Sequence, residues 1–163
     1  MTGTSDSRYL ISGSEDRSIK IFDLQTKQEV HHFENAHKSM EIYIYEKFIF
    51  LGRVASVAVT SDDKYVVSGS WDKSLKVFDL QTRQQVHHFE NAHKGMENYI
   101  DYKFILLGKI TSVAITSDDK YVICGSTDES IKVFDLRTKQ QVHHFENAHN
   151  GMEIYIDCKF IFF

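Results

Sequence analysis

Histidine is the residue type in this sequence best suited to bind a metal ion, and the chain contains nine of them. Most of them form adjacent pairs, which are His31-His32, His87-His88 and His143-His144. In a β-strand two adjacent side chains point to opposite faces, so the rings of one pair cannot chelate the same ion. The close His/Cys spacing of a zinc site is also missing. The sequence therefore predicts no metal ion and no cofactor.

Serine, histidine and aspartate recur together along the chain, and these residue types form hydrolytic sites in other proteins. The sequence has no nucleophile elbow, glycine-rich phosphate loop or HExxH pattern, which are the usual contexts of such chemistry. The acidic pairs Asp62-Asp63 and Asp118-Asp119 fit a turn between two strands. We therefore expect no enzymatic activity, and a metal-dependent enzyme is the disfavoured alternative.

The element that positions these residues is the stretch 65–80, which reads YVVSGSWDKSLKVFDL. Its apolar, β-branched start is typical of a buried strand. The Gly, Ser and Asp residues that follow favour a chain reversal. The final part alternates, with Leu75 and Val77 on one face and Phe78 and Leu80 on the other. The stretch therefore predicts a β-hairpin.

The same hairpin occurs three times, because 9–24 reads YLISGSEDRSIKIFDL and 121–136 reads YVICGSTDESIKVFDL. A complete repeat adds a strand on each side, which gives predicted strands at 54–60, 65–70, 75–80 and 85–90. The innermost is almost wholly apolar and the outermost is polar, as in four antiparallel strands graded from buried to exposed. Nothing before Thr4 matches 54–59, so the first repeat is expected to lack its innermost strand.

Composition limits the compartment and the partners. The formal charge is −4 with no basic cluster, so we expect no nucleic acid partner. We see neither a secretory signal nor an apolar run approaching about 18 residues, and we expect no membrane span. Cys124 and Cys158 are too few for a disulfide framework, which makes a reducing cytoplasm the expected location.

In its repeated residues the chain resembles the WD-repeat (Trp-Asp repeat) β-propeller family. The matching residues of the second repeat are Ser68-Gly69-Ser70, Asp72, Ser74 and Lys76-Val77-Phe78-Asp79. Ala36-His37, Ala92-His93 and Ala148-His149 stand where the family has Gly-His, and Phe-Asp replaces Trp-Asp. The resemblance covers all but 39–52, 95–108 and 151–163. It implies an all-β, partial and open propeller of about three blades.

The resemblance also implies a hydrogen-bond network of His, Ser, Asp and Trp in each repeat. The residues it assigns are His37, Ser68 and Asp72 in the second repeat, His93 and Asp128 in the third, and Ser12 and Asp16 in the first. The phenylalanine that replaces Trp cannot donate a hydrogen bond, and Cys124, in place of Ser, donates weakly. We therefore expect a shortened network in the second repeat and a weaker one in the third.

Partners of the family commonly dock on the face that carries the turn between the second and third strands. The residues that the resemblance places there are Glu15, Trp71 and Thr127 in the turns, and Arg53 and Lys109 at the start of the innermost strands. Trp and Arg are enriched among interface hot spots. The resemblance thus implies a protein-binding role, while the alternative of a Trp folded over its own turn stays open.

The repeats are longer than family repeats, at 56 residues against about 40–45. The excess lies at 40–52 and 96–108. One interpretation is an added hairpin, in which an aromatic patch of Tyr43, Tyr45, Phe48 and Phe50 marks a partner site. The other is a translated, unspliced intron, because the bounding Ser-Met or Gly-Met and Leu-Gly permit splice-site codons. Removing either segment restores a family-like period, and both interpretations remain open.

We divide the chain into repeats at 4–38, 53–94 and 109–150, inserts at 39–52 and 95–108, and a partial insert at 151–163. Closed propellers have typically about 4–8 blades, so three blades leave apolar faces exposed. The leading prediction is a non-catalytic scaffold for protein–protein interaction. The alternative is a truncated or misannotated piece of a longer protein without a function of its own. Copies could also associate to close the ring, or the tail 154–163 could cover an edge.

Overall fold

The computed structural model describes residues 1–44, 47–93 and 108–149, and all of its regular elements there are β-strands. Three four-stranded antiparallel sheets follow one another along the chain. Blade 1 contains β1 (Thr2–Gly3), β2 (Tyr9–Gly13), β3 (Ile19–Asp23) and β4 (Gln28–Phe33). Blade 2 contains β7 (Val54–Val59), β8 (Tyr65–Ser70), β9 (Leu75–Asp79) and β10 (Gln84–Phe89). Blade 3 contains β11 (Ile110–Ile115), β12 (Tyr121–Ser126), β13 (Ile131–Asp135) and β14 (Gln140–Phe145).

The all-β, open arrangement of about three blades is confirmed. The strands of blade 2 agree with the predicted bounds to within one residue at either end. Within the described ranges no helix is long and apolar enough to cross a membrane.

The first blade needs a correction, because its innermost strand is shortened and not missing. Residues Thr2–Gly3 pair with β2, whereas β7 and β11 each have six residues. Two residues are too few to show the apolar pattern that predicts the innermost strands of the other two repeats.

The two faces of β9 pack against different blades, as the alternation of its residues predicts. Leu75 and Val77 belong to the apolar cluster between blades 2 and 3, together with Ile110 and Phe134. Phe78 belongs to the cluster between blades 1 and 2. The core therefore consists of two apolar layers, one between blades 1 and 2 and one between blades 2 and 3. Blade 2 is covered on both faces.

The Asp of the Phe-Asp-Leu sequence ends each third strand. Asp79 accepts hydrogen bonds from the backbone N–H groups of Gln81 and Thr82, at 2.9 and 2.7 Å. The turn then places Arg83 at a φ of 58°, in the left-handed region. A carboxylate that satisfies two turn donors fixes the direction in which the outer strand returns.

The first insert forms its own two-stranded sheet, from β5 (Met40–Ile44) and β6 (Lys47–Leu51). The strands pair antiparallel, with Met40 opposite Leu51. This is the hairpin that one of our two interpretations expects. The side chains of its proposed aromatic patch, nearly all of the second insert, and the tail 150–163 lie outside the described residues.

Candidate protein-binding face

The joint between blades 1 and 2 is built around a buried histidine. His37 follows blade 1, and its Nδ1 lies 3.0 Å from the carboxylate of Asp72 in blade 2. On the other side of the ring, the Ser68 hydroxyl donates to Nε2 at 2.7 Å. Ser74 also donates to the Asp72 carboxylate at 2.6 Å. These contacts join the three residues that the resemblance assigned, and they add Ser74.

The joint determines the ionisation of Asp72. Burial opposes the charged form, but hydrogen bonds from His37 and Ser74 outweigh it and hold the pKa of Asp72 at about 2. The side chain is only 5% exposed. The donors around Asp72 stabilise its buried negative charge. The carboxylate in turn fixes both the His37 ring and the turn that contains Asp72.

The joint between blades 2 and 3 repeats this geometry with a sulfur atom. His93 Nδ1 lies 3.1 Å from the Asp128 carboxylate, and its Nε2 lies 3.0 Å from Sγ of Cys124. Burial raises the pKa of the Cys124 thiol well above its usual range, so the sulfur stays protonated. It lowers the pKa of His93, although Asp128 partly offsets this effect. The neutral ring therefore receives a weak thiol donor where His37 receives a hydroxyl.

Blade 1 carries the receiving residues of such a joint, but no histidine of the described chain reaches them. Asp16 still accepts from the backbone N–H of Ser18 at 2.9 Å, which shapes the turn. The hydroxyl of Ser18 is buried and has no hydrogen-bond partner among the described residues. Ser12 is half-buried, whereas its counterpart Ser68 is fully buried.

The five residues assigned to the docking face form one continuous row across all three blades. Glu15, Arg53 and Trp71 are exposed or half-buried, whereas Lys109 and Thr127 lie beneath the surface, at 5% and 8% exposed. Arg53 donates to the Glu15 carboxylate at 2.8 Å. Its backbone carbonyl accepts from the N–H of Trp71 at 3.0 Å. The N–H of Thr127 donates to the carbonyl of Lys109 at 3.0 Å, which repeats the pattern one blade further on.

Trp71 lies at the centre of this row, between two cations. The Arg53 guanidinium carbon is 5.0 Å from the centroid of its ring, and the Lys109 ammonium is 3.7 Å away. Both distances suit a cation–π contact. Burial, and then the charge of Arg53, lower the pKa of Lys109 to about 8. The Trp side chain is therefore held by its neighbours and not by its own turn alone.

Two further sets of contacts between blades were not predicted. The Asp63 carboxylate accepts from the backbone N–H of Ser5 at 2.8 Å, and Asp119 accepts from Ser61 in the same way. Lys76 donates its buried ammonium to the carbonyl of Ala36. The sequence holds one signal for the aspartate contacts. Asp63 and Asp119 occupy equivalent positions of the 56-residue repeat, whereas the first repeat has a serine at that position. Nothing local distinguishes such a residue from an ordinary turn aspartate.

The paired histidines pack against aromatic rings. The rings of His31 and Phe33 meet edge to face with centroids 4.3 Å apart, and His87 and Phe89 do the same. Across the described ranges, no group of three or more His, Cys, Asp and Glu side chains could hold a metal ion.

The fold has counterparts among known proteins. A family model described as "WD domain, G-beta repeat" (WD40) matches residues 2–23, 47–79 and 103–135, which is more than half of the chain. The chain is 32% identical over 135 residues to a WD repeat domain-containing protein 83 homolog of Dictyostelium discoideum. That match covers 83% of this chain and 33% of the relative.

Two other similarities involve proteins named for association with a small nucleolar RNA or for WD40 repeats. A U3 small nucleolar RNA-associated protein 15 homolog of Gallus gallus is 25% identical over 203 residues, with 90% of this chain and 39% of the relative covered. The crystal structure of RRP9 WD40 repeats superposes with a TM-score of 0.68 at 19% identity, covering 92% of this chain and 38% of that one. The chain thus spans about a third of the length of the relatives it matches.

These relatives overturn the expected cytoplasmic location. The Gallus gallus protein is named for association with a small nucleolar RNA, which points away from the cytoplasm. Two cysteines indicate only a reducing compartment, and the nucleus is reducing as well. Three matched repeats and three matching sheets support one identification: the chain belongs to the WD40 family of WD domain, G-beta repeat proteins.

Proposed function

We propose that the chain is a non-catalytic scaffold that binds a protein partner through the row Glu15, Arg53, Trp71, Lys109 and Thr127. The observation that supports this proposal is the continuity of the row, which runs over three blades with the chain's single Trp at its centre. Rigid blades present the row without rearrangement, so little ordering free energy is lost when a partner binds.

The charges of the row favour an acidic segment as the partner. Two cations lie against Trp71, and the carboxylate next to Arg53 is that of Glu15, whose side chain is 79% exposed. A partner carboxylate can replace Glu15 on the guanidinium and form a bidentate contact. An exposed intramolecular ion pair contributes little, so this exchange costs little.

A ribonucleoprotein assembly is the setting that the relatives favour. One relative is named for a small nucleolar RNA, and a WD40 scaffold in such an assembly can contact protein or RNA. We infer contact with protein, because the chain carries a formal charge of −4 and its row holds an acidic residue beside its two cations.

A peptide library displayed on phage and selected against the full chain tests the proposal. Selected peptides are expected to be enriched in Asp and Glu, and to change the fluorescence of Trp71, the only Trp. Arg53→Ala should weaken their binding roughly tenfold, because a charge-assisted bond is lost. Glu15→Ala should strengthen it a few-fold, because the competing carboxylate is removed.

A second readout is the pH dependence of that binding. Lys109 has a pKa of about 8 in the free chain, and a partner carboxylate bound at the neighbouring Arg53 would raise the pKa of this buried ammonium through its charge. Affinity should therefore be full below pH 8 and fall as the pH rises through that value, and Lys109→Met should remove this dependence. Val86→Ala, at an exposed position of β10, is the control and should change nothing. Peptides that bind Arg53→Ala and wild type equally would contradict the proposal.

The second candidate is a chain without a function of its own, as a piece of a longer propeller protein. This candidate is supported by the small share of the relatives that the chain covers, which is 33% and 39% of their lengths. The mass in solution separates the two candidates. A discrete folded species supports a working scaffold, whereas aggregation or an unfolded monomer supports the fragment.

A further inference from the structure

The outer face of blade 3 ends in a segment whose Ala and His are buried wherever another blade follows it. The sequence Phe-Glu-Asn-Ala-His occurs at 33–37, 89–93 and 145–149. In the second copy Phe89 is 8% exposed and packs against Phe134 of the next blade, with the ring centroids 4.8 Å apart and the planes tilted by 52°. His93 is fully buried. In the third copy Phe145 is 49% exposed and His149 is exposed as well.

The outer face of blade 1 carries the complementary half of that joint. Ser12, Asp16 and Ser18 stand where blade 2 has Ser68, Asp72 and Ser74, which hold His37. The Ser18 hydroxyl is buried beside the Asp16 carboxylate, but it has no histidine partner in the described part of the chain, unlike Ser74. Phe22 is half-buried, whereas its counterparts Phe78 and Phe134 are 3% and 4% exposed.

We propose that two copies of this chain associate head to tail, with blade 3 of each packed on blade 1 of the other. His149 of one copy then donates to Asp16 of the second and accepts from Ser12. The ring of Phe145 packs against that of Phe22, as Phe89 packs against Phe134. The hydroxyl of Ser18 gains the ring nitrogen that it lacks in the single chain.

A second copy is favoured over other occupants because the docking segment is identical in sequence to the two that already occupy internal joints. The receiving residues of blade 1 include the serine that blade 3 has exchanged for Cys124, so this joint has a full hydroxyl donor. Each chain supplies three four-stranded sheets, so two chains supply six. This number lies within the range of about 4–8 blades for closed propellers. The ring then closes with no exposed blade face.

One contact of the internal joints has no counterpart in the proposed one. Ser5 and Ser61 each donate to an aspartate of the following blade, Asp63 and Asp119. The next donor in the series is the exposed Ser117, but blade 1 offers Ser7 where the other blades have aspartate. The three acceptor positions have the same backbone, with φ of 57°, 55° and 57°. The joint between copies is therefore weaker than those within a chain.

Sedimentation of the full chain over a range of concentrations tests the proposal. Wild type is expected to reach twice the mass of one chain. Phe145→Glu and Asp16→Arg should each sediment as a single chain, because every joint between copies then contains one altered side. Both positions are exposed in the single chain, and unchanged far-UV circular dichroism shows that each variant is folded.

Mixing the two variants distinguishes packing of blade 3 on blade 1 from a contact in which a blade packs on its own counterpart in the other copy. The intact blade 1 of Phe145→Glu can receive the intact blade 3 of Asp16→Arg, so the mixture should form a one-to-one complex. Ser7→Asp should lower the dissociation constant of the wild-type dimer roughly fivefold, because it adds the missing charge-assisted pair. Ser7→Asn, which lacks the charge, is the matched control and should have a smaller effect.

Three results would overturn the proposal. The first is a single-chain mass for wild type at every concentration, as expected if the tail covers the edge. The second is a mass that grows without limit, because the contact would then not close. The third is a dimer that persists in both variants.

Discussion

At the scale of single residues, Ser, His and Asp form a structural joint between two blades. His37 is 1% exposed, and hydrogen bonds to Ser68 and Asp72 occupy both of its ring nitrogens. The same contacts occur in a hydrolytic triad, but here the Ser68 hydroxyl belongs to a residue that is 0% exposed, so no substrate can reach it. The same residue types therefore stabilise the contact between two blades.

Acid should weaken this joint over a defined pH range. The pKa of Asp72 is about 2 in the folded chain against an ordinary 3.8, so its stabilisation is complete above pH 4 and is lost as the pH falls through 2. Asp128 has the same pKa and contributes in the same direction. Chemical denaturation of wild type should show the free energy of unfolding decreasing over that interval.

Asp72→Asn should flatten that decrease and lower the free energy of unfolding at neutral pH by about 2 kcal/mol, because a charged acceptor is lost from a buried network. Asp16→Asn is the matched control, since Asp16 has the same turn contact but no histidine partner in the single chain. At dilute protein concentration it should cost about 0.5 kcal/mol. Equal losses in the two variants would contradict a role for the histidine contact.

At the scale of elements, the Ser-Gly-Ser sequence of the second strand is explained by the next blade. A Cβ at Gly69 would lie 2.4 Å from Cγ2 of Val113 and 2.5 Å from Cγ2 of Ile110. Both atoms belong to β11, so glycine lets the innermost strand of one blade approach the second strand of the blade before it. Gly13 makes the same approach to Val54.

Gly69→Ala should therefore separate blades 2 and 3 and lower the free energy of unfolding by about 2 kcal/mol, as overpacking usually does. Urea denaturation followed by circular dichroism measures the change. Gly3→Ala is the control, because its Cβ would lie 3.6 Å from the nearest atom, the carbonyl oxygen of Tyr9. If both variants unfold alike, the close approach does not limit the packing.

At the scale of the whole molecule, the first insert is separable from the blades. Its strands β5 and β6 form a sheet of their own, while blades 1 and 2 share a continuous core. This separation is compatible with an added hairpin and with a translated intron. A transcript that always retains 40–52 and 96–108, with no spliced form, would exclude the intron.

A chain that lacks residues 40–52 should fold with its three blades intact. Its free energy of unfolding should change by less than about 1 kcal/mol, because a shorter connection costs slightly less loop entropy. Denaturant unfolding of both lengths gives the comparison. A loss of more than about 3 kcal/mol would show that the hairpin is part of the core.

The sequence predicts the strands well because their physical cause is local. Alternation of apolar residues fixes which side chains share a face, and Gly, Ser and Asp fix the turns, so β8 and β9 match their predicted places. The same logic fails at β1, where two residues carry no pattern. It also cannot give the compartment, because cysteine usage reports redox conditions only.

By itself the sequence determined the repeat and the four-stranded unit, which follow from the spacing of residues along the chain, while the residues of each joint came from the resemblance to the WD-repeat family. Only the tertiary structure decided which residues meet across blades, such as Asp63 with Ser5 at 2.8 Å and Lys109 with Trp71 at 3.7 Å. These partners are far apart along the chain, so their contact depends on how the sheets stack. Stacking is a property of whole faces, and no local spacing encodes the neighbour that a given side chain will find.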